Sequence, residues 1–569
     1  MTPRARSALA GAFVALVSLL LCSQPVWSLD WGWHLATVER LLAEGRIPTD
    51  DIFSYASNHP YEPVHLLFQL LLGGLVRALG LELGLSSFRW LAGAALGVVL
   101  HASLRRRGAG AGPSALLALL VVAASEHRVM VRPHLFTWIF LPLLLSGLLA
   151  YRDGRTDRLA WLVPLFLAWT YAHPAAVYGG LALLGFVGVE LARWLLASPR
   201  APSGRRLRRL VGWGLAALLC LNAGPLGPGL VPYLLNHARL QRELHNQELH
   251  ALLPPYSPGQ ALGLALLAGG LALALRRWRR LDLTLSLGSL SFLGLALAVA
   301  RELPLALIVG ALTVAPHVGA ATRALRRRAG GGAVLALGSL AILPVLQTAW
   351  RLERDRGLLR VGLRPGRYPV GAADWIERHR PRGRIYNTSG AGSYLVYRLA
   401  PRRAGGPGWQ VHTDGRMPMF REALREAREG FALVERRWRP EIVVVDFLHG
   451  PFEAHRFEAE PTFREHYRLV HVSAGGKVYL RLGAGNDALL AREGYEELRF
   501  VGTFWPGRRE RAPDGGWIQP LPPPRNPARL AAEAARARRL DPSLGWLCPR
   551  GPQAASAGDQ GLLRRGFGQ

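Results

Sequence analysis

Five consecutive residues, Asp30-Trp31-Gly32-Trp33-His34, place a carboxylate, two indoles and an imidazole directly after an apolar N-terminal segment. An acid or base where a helix leaves hydrocarbon can reach a substrate whose lipid tail stays in the bilayer, so the cluster points to proton transfer on a lipid-linked molecule. Asp30 is the candidate general base and His34 the second acid–base group beside it. The competing structural role for Asp30 is the N-cap of a helix over 31–44, accepting from its backbone N–H groups. Trp31 and Trp33 read as interfacial anchors or as rings for substrate to stack on. Further along the same loop, Asp50 and Asp51 form a carboxylate pair, and His65 adds an imidazole. Such donors suit Mg²⁺ or Mn²⁺, or an acceptor's hydroxyls. A polar turn with a solvated acidic face is the alternative.

Cationic candidates complete the chemistry. Arg132 and Arg301 each stand at the outer end of an apolar segment, where a guanidinium suits bidentate binding of a phosphate. Arg301 precedes Glu302, so an internal ion pair competes with that role. His173 ends another apolar segment at the same depth, and Glu248 lies in a third outer loop. With Asp30, these residues are expected to line one outward-facing cavity, anionic toward an acceptor and cationic toward a phosphate leaving group.

The elements that must position these groups follow from hydropathy and charge. Half of the 569 residues are hydrophobic and the apolar residues concentrate before about residue 350, in runs long enough to cross ~30 Å of hydrocarbon. The formal net charge is +30, and Lys477 is the only lysine, so the excess is arginine, as in proteins from GC-rich bacteria. Its placement argues against nucleic acid: Arg105–Arg107, Arg205–Arg209, Arg276–Arg280 and Arg326–Arg328 fall between apolar runs, the pattern of cytoplasmic loops. Residues 62–80 are too interrupted to span without sending Arg105–Arg107 outward, so they are expected along the outer surface. About eleven spans result, near 8–28, 86–104, 113–125, 134–151, 159–173, 175–196, 210–222, 260–275, 283–300, 303–320 and 332–350. The N-terminus is then cytoplasmic, and Asp30 and everything beyond Trp350 lie outside.

The expected organisation is a transmembrane domain over 1–350 with a large first outer loop at 29–85, a small extracytoplasmic α/β domain over 351–484, and an Arg/Pro/Gly-rich, partly disordered tail at 485–569. In the outer domain, strands are expected at 384–386, 394–398, 442–446 and 478–482, helices near 371–379 and 418–437, and a tail helix at 526–540. Three cysteines, Cys22, Cys220 and Cys548, show neither a disulfide framework nor zinc spacing.

Several short motifs together resemble the GT-C superfamily of polytopic membrane glycosyltransferases. The likeness is to the bacterial branch grouped with dolichyl-phosphate-mannose-protein mannosyltransferases and Rhizobium-type lipopolysaccharide-core transferases. The motifs are Asp30-x-x-Trp33-His34-Leu35-x-Thr37, the Gly45–Tyr55 stretch, Arg132-Pro133-x-Leu135-Phe136, Asn222, and Asp414-Gly415-Arg416. The resemblance covers roughly residues 10–480. It implies an α-helical polytopic fold and transfer of a sugar from a polyprenyl-phosphate donor to an envelope glycan, lipid or protein at the outer face of the bacterial cytoplasmic membrane. It maps Asp30 onto the acidic residue that such families use. Where relatives show a Trp and a His-Glu pair, this chain reads Tyr61-Glu62-Pro63-Val64-His65-Leu66, a departure that bears on acceptor and metal. A non-catalytic scaffold of envelope assembly is the alternative. A transporter fits less well, because the charges gather at outer helix ends rather than mid-span.

Overall fold

The computed structural model describes residues 2–57, 60–198, 201–243, 251–255, 257–446, 457–458, 460–498, 510–511, 517–518 and 525–544. Glu248 lies outside them. The chain divides into two units: Met1–Val26 with Glu62–Gly362, and Trp27–Tyr61 with Leu363–Gln569. The expected outer loop 29–85 is therefore split. Its first half folds with the C-terminal residues, and its second half belongs to the helical unit.

The helical unit is built from helices that follow the apolar runs. Five described helices are long and apolar enough to cross a membrane, and a sixth qualifies if the pair Gly204–Asn222 and Gly227–Leu240, bent by 92°, is one span. Shorter apolar helices, Ala5–Leu21, Leu66–Leu79, Leu162–Ala172 and Leu283–Ala298, accompany them. The chain is a multi-pass membrane protein. The expected segments 303–320 and 332–350 are two helices that meet at a kink at Gly330, whose φ of 78° interrupts the helical path between Leu303 and Arg356. Close helix packing comes from small residues: a methyl group on Gly93 or Gly97 of helix Leu81–Arg106 would overlap Cys22 or Ser18 beside helix Pro3–Leu21. The buried Arg89 is satisfied internally, donating to the carbonyls of Val129 (2.7 Å) and Gln24 (2.9 Å) and to the Gln24 side chain (2.6 Å).

The second unit is an α/β domain. Its sheet contains β1 (Ile385–Asn387), β2 (Ile442–Asp446), β3 (Tyr467–Ser473) and β4 (Gly476–Arg481) in the order β1-β2-β4-β3. β1 and β2 run parallel, and the β2–β4 and β3–β4 pairs are antiparallel. Tyr386, Phe431, Val443, Val445, Phe463 and Tyr479 form part of the core. Residues 394–398, expected as a strand, instead lie within helix Ser389–Leu399. Their β-branched and aromatic character is outweighed by packing: Trp31 of helix Trp31–Glu44 sits edge-on to Tyr394 (5.9 Å between ring centres) and Tyr397 (5.3 Å). The helix expected over 418–437 is divided by Gly430 (φ 138°) into Arg421–Glu429 and Phe431–Trp438. The tail contributes to this unit, since helix Pro527–Leu540 lends Glu533 to the backbone N–H groups of Glu496, Glu497 and Leu498.

Candidate active site

Helix Trp31–Glu44 positions the leading candidates. Gly32 lets it approach helix Ser389–Leu399 to backbone contact: a methyl group there would overlap the Ser393 carbonyl oxygen and lie 2.7 Å from its carbon. The Ser393 hydroxyl accepts from the Trp33 N–H (3.1 Å), fixing the helix start. Trp31 is completely buried against Tyr368, Tyr394 and Tyr397. It is a core residue of this unit rather than a lipid anchor or a surface for substrate. Trp33 is buried too, its ring 3.6 Å from that of His34. His34 is 1 % exposed, its imidazole enclosed by the domain.

Asp30 stands at the head of this helix, half-buried, with helical φ and ψ (−83°, −16°) and no capping hydrogen bond from its side chain. The capping role is thus not the one it performs. Its carboxylate lies against the Asp414-Gly415-Arg416 turn: a methyl group on Gly415 would overlap Oδ1 of Asp30 and lie 3.2 Å from its Cγ.

The other acids of the region are committed to guanidinium groups. Arg416 is buried and donates to Asp414 from Nε (3.0 Å to Oδ1) and Nη2 (2.6 Å to Oδ2). Its Nη2 also reaches both oxygens of Asp51 at 3.2 Å. The rings of Trp33, Phe53, Tyr61 and Phe420 surround the guanidinium, each centre 5.7–5.8 Å from its central carbon. Burial alone would push Arg416 down, but Asp414 and Asp51 overcome this and raise it above its ordinary value. Asp50 pairs with the buried Arg40, which donates to its Oδ1 (2.7 Å), to its carbonyl (2.6 Å) and to Glu44 (2.9 Å). Against the opposing effect of burial, Arg40 holds the Asp50 carboxyl below its ordinary range.

Asp50 is paired with Arg40 and Asp51 with Arg416, and His65 belongs to the helical unit. Among the described residues no three His, Cys, Asp or Glu side chains converge as metal ligands.

In the helical unit, His173 is oriented by a hydrogen-bond chain. Trp169 donates to the Thr137 hydroxyl (2.9 Å), and that hydroxyl is hydrogen-bonded to Nδ1 of His173 (2.9 Å). His65 stacks on His173 with ring centres 5.8 Å apart. Arg301 makes the internal pair weighed for it, Nε to Glu302 Oε1 at 3.0 Å, while its side chain stays 33 % exposed. Arg132 is half-buried just before helix His134–Arg152. These residues belong to one unit and Asp30 to the other.

The loop before Asp414 is tied from two directions. Asn387, ending β1, accepts from the N–H of His412 (3.0 Å) and donates to the Thr413 carbonyl (2.8 Å). The Ser54 hydroxyl donates to the His412 carbonyl (2.7 Å), and the Val411 N–H donates to Phe53 (2.9 Å). The sequence singled out Asp414-Gly415-Arg416 by resemblance alone. Its partners lie some 360 residues earlier, where no local spacing could reveal them.

Against solved structures, the chain is similar to the Archaeoglobus fulgidus oligosaccharyltransferase tethered to an acceptor peptide (11% identity, TM-score 0.55). The alignment covers 84% of this chain and 74% of that one. The same archaeal enzyme in complex with an inhibitory peptide and a dolichol-phosphate aligns over the same shares at 11% identity and TM-score 0.51. The fold is that of the GT-C membrane glycosyltransferases. A mycobacterial arabinofuranosyltransferase, AftD, aligns at 16% identity and TM-score 0.47 over 84% of this chain and 42% of its own. No family model matches the sequence, and no curated protein matches it. The GT-C likeness is thus carried by the course of the backbone at identities where side chains have diverged.

Proposed function

We propose that this chain is a membrane glycosyltransferase, moving a sugar from a polyprenyl-phosphate donor to an envelope glycan, lipid or protein at the outer face of the bacterial cytoplasmic membrane. Asp30 acts as the general base. It takes the proton of an acceptor hydroxyl as that oxygen bonds to the anomeric carbon, and the bond from that carbon to the lipid phosphate oxygen breaks. A single displacement of this kind inverts the anomeric centre.

The observation that carries this reading is the placement of Asp30, a half-buried carboxylate at the start of helix Trp31–Glu44 whose Oδ1 lies against the Gly415 turn. The GT-C fold supports it, and the archaeal neighbour was solved with a dolichol-phosphate bound. The test is mass spectrometry of lipid-linked sugars and envelope glycans in a deletion strain. A missing glycan should return with the wild-type chain and stay missing with Asp30→Ala. Unchanged profiles in the deletion strain would instead favour a scaffold.

A further inference from the structure

We infer that the end of the helical unit carrying Arg107, Arg152 and Asp282 binds the phosphate of an anionic phospholipid. The inference does not depend on the glycosyltransferase reading. Arg107 follows directly on the membrane-length helix Leu81–Arg106, and Arg152 is the last residue of another, His134–Arg152. Both therefore stand where lipid headgroups meet the protein. Asp282 caps the apolar helix Leu283–Ala298, its Oδ1 accepting from the Leu285 N–H (3.2 Å). Its Oδ2 meets both guanidiniums, Nη2 of Arg152 at 2.5 Å and Nη2 of Arg107 at 3.8 Å, which sets the two cations side by side.

Asp282 thus serves both arginines, whose side chains are only 11 % and 14 % exposed. Among the described residues nothing accepts from the buried Nε of Arg107 or the buried Nη1 of Arg152. The neighbouring acids are engaged: Asp153 takes Arg155 at 2.5 Å and lies 3.4 Å from Arg152 Nε, and Glu190 takes Arg193 at 2.6 Å. Arg277, Arg107 and Arg280 all act on the buried His317, so further positive charge gathers here. Buried guanidinium donors in excess of carboxylate oxygens call for an anion, and the oxygens of a phosphate match the planar guanidinium. A lipid is the source rather than free phosphate. Leu283 and Leu287, one turn apart directly after Asp282, are 52 % and 49 % exposed and offer an acyl chain apolar surface beside the cations. The basic cluster Arg326–Arg328, by contrast, is wholly exposed.

The experiment uses the full-length protein in neutral detergent, with dioleoyl phosphatidylglycerol, dioleoyl phosphatidylcholine or inorganic phosphate as the probe. Native mass spectrometry reads retained lipid, and thermal unfolding is followed in parallel. Phosphatidylglycerol should raise Tm by about 3–6 °C at about 100 times its Kd, while the other two probes should each move it by under about 1 °C. Arg107→Gln should bind phosphatidylglycerol about 5–10-fold more weakly. Its lipid-free Tm should not fall, because Asp282 keeps Arg152; an arginine serving structure alone would lower that Tm and leave lipid binding unchanged. Asp282→Asn, which still caps its helix, should bind the same lipid about fivefold more tightly. Arg326→Gln, in the exposed cluster, should bind as the wild type does. An equal gain from phosphatidylcholine or inorganic phosphate, undiminished binding in Arg107→Gln, or equal weakening in Arg326→Gln overturns the site. Where a variant does not fold, the wild-type probe series still decides.

Discussion

Replacing Asp414 by alanine should loosen the Asp30 region far more than any other single acidic substitution nearby. Asp414 is fully buried and receives Nε and Nη2 of Arg416 at 2.6–3.1 Å, plus the Arg416 N–H at 2.9 Å. Asp51 reaches the same guanidinium only at 3.2 Å, so it cannot replace those bonds. Removing one partner of a buried ion pair costs about 3–5 kcal/mol, because the other charge is left in a low-dielectric interior. The surviving contact with Asp51 argues for the lower end, about 3 kcal/mol. At about 1.4 kcal/mol per decade that is roughly a 100-fold rise in local opening. Hydrogen exchange by mass spectrometry reads this directly in peptides covering 31–44 and 411–416. Asp50→Ala is the control: Asp50 is 52 % exposed and Arg40 keeps Glu44, so exchange there should change less than about fivefold. Similar behaviour of the two variants, or less than a threefold change in Asp414→Ala, would refute the clamp.

Two further predictions concern the same unit. Lys477, wholly buried, meets Glu458 at 2.5 Å, and the Tyr479 hydroxyl donates to the same oxygen at 2.7 Å. Lys477→Met should lower stability by about 3–5 kcal/mol, seen as a Tm drop of roughly 10 °C, and Glu458→Gln on top should recover most of it. Burial holds His412 down at about 3, with Arg437 adding to the effect. The folded state therefore keeps this ring neutral while the unfolded state protonates it below pH ~6.5, so stability falls as the pH drops from about 6.5 toward 3. That loss amounts to about 2 kcal/mol at pH 5. Unfolding of His412→Gln between pH 7 and 5 should lack this share, and an unchanged slope would refute it.

Much of the fold was legible because hydrophobic length and arginine placement are long-range statistical features that survive divergence. Each expected span overlaps a described helix, although by length and composition only five or six would qualify alone. The non-helical backbone at Gly330 separates the two expected spans 303–320 and 332–350 into two helices. Strand β2 and the tail helix are set by local apolar runs and an Asn526 cap, so their expected positions and the observed ones nearly coincide. The misplaced strand at 394–398 shows the opposite case, in which tertiary contact with Trp31 outweighs local preference. At the site, residue type and position made Asp30 the leading candidate and left Asp50 and Asp51 as a carboxylate pair of open role. Their partners, Arg40 ten residues from Asp50 and Arg416 hundreds from Asp51, are what the sequence could not show. The burial of Trp31 and His34 was not legible, because helix Trp31–Glu44 folds with the C-terminal residues hundreds of positions later.

The central claim is that Asp30 activates an acceptor for sugar transfer from a lipid-linked donor. Its most direct test is sugar release from polyprenyl-phosphate donors, followed by mass spectrometry when purified protein is added to lipid extracts and membranes of the deletion strain. Wild-type protein should consume a donor and form a new glycosylated product, while a folded Asp30→Asn variant should be at least about 100-fold slower. Equal consumption by the two proteins would contradict the account.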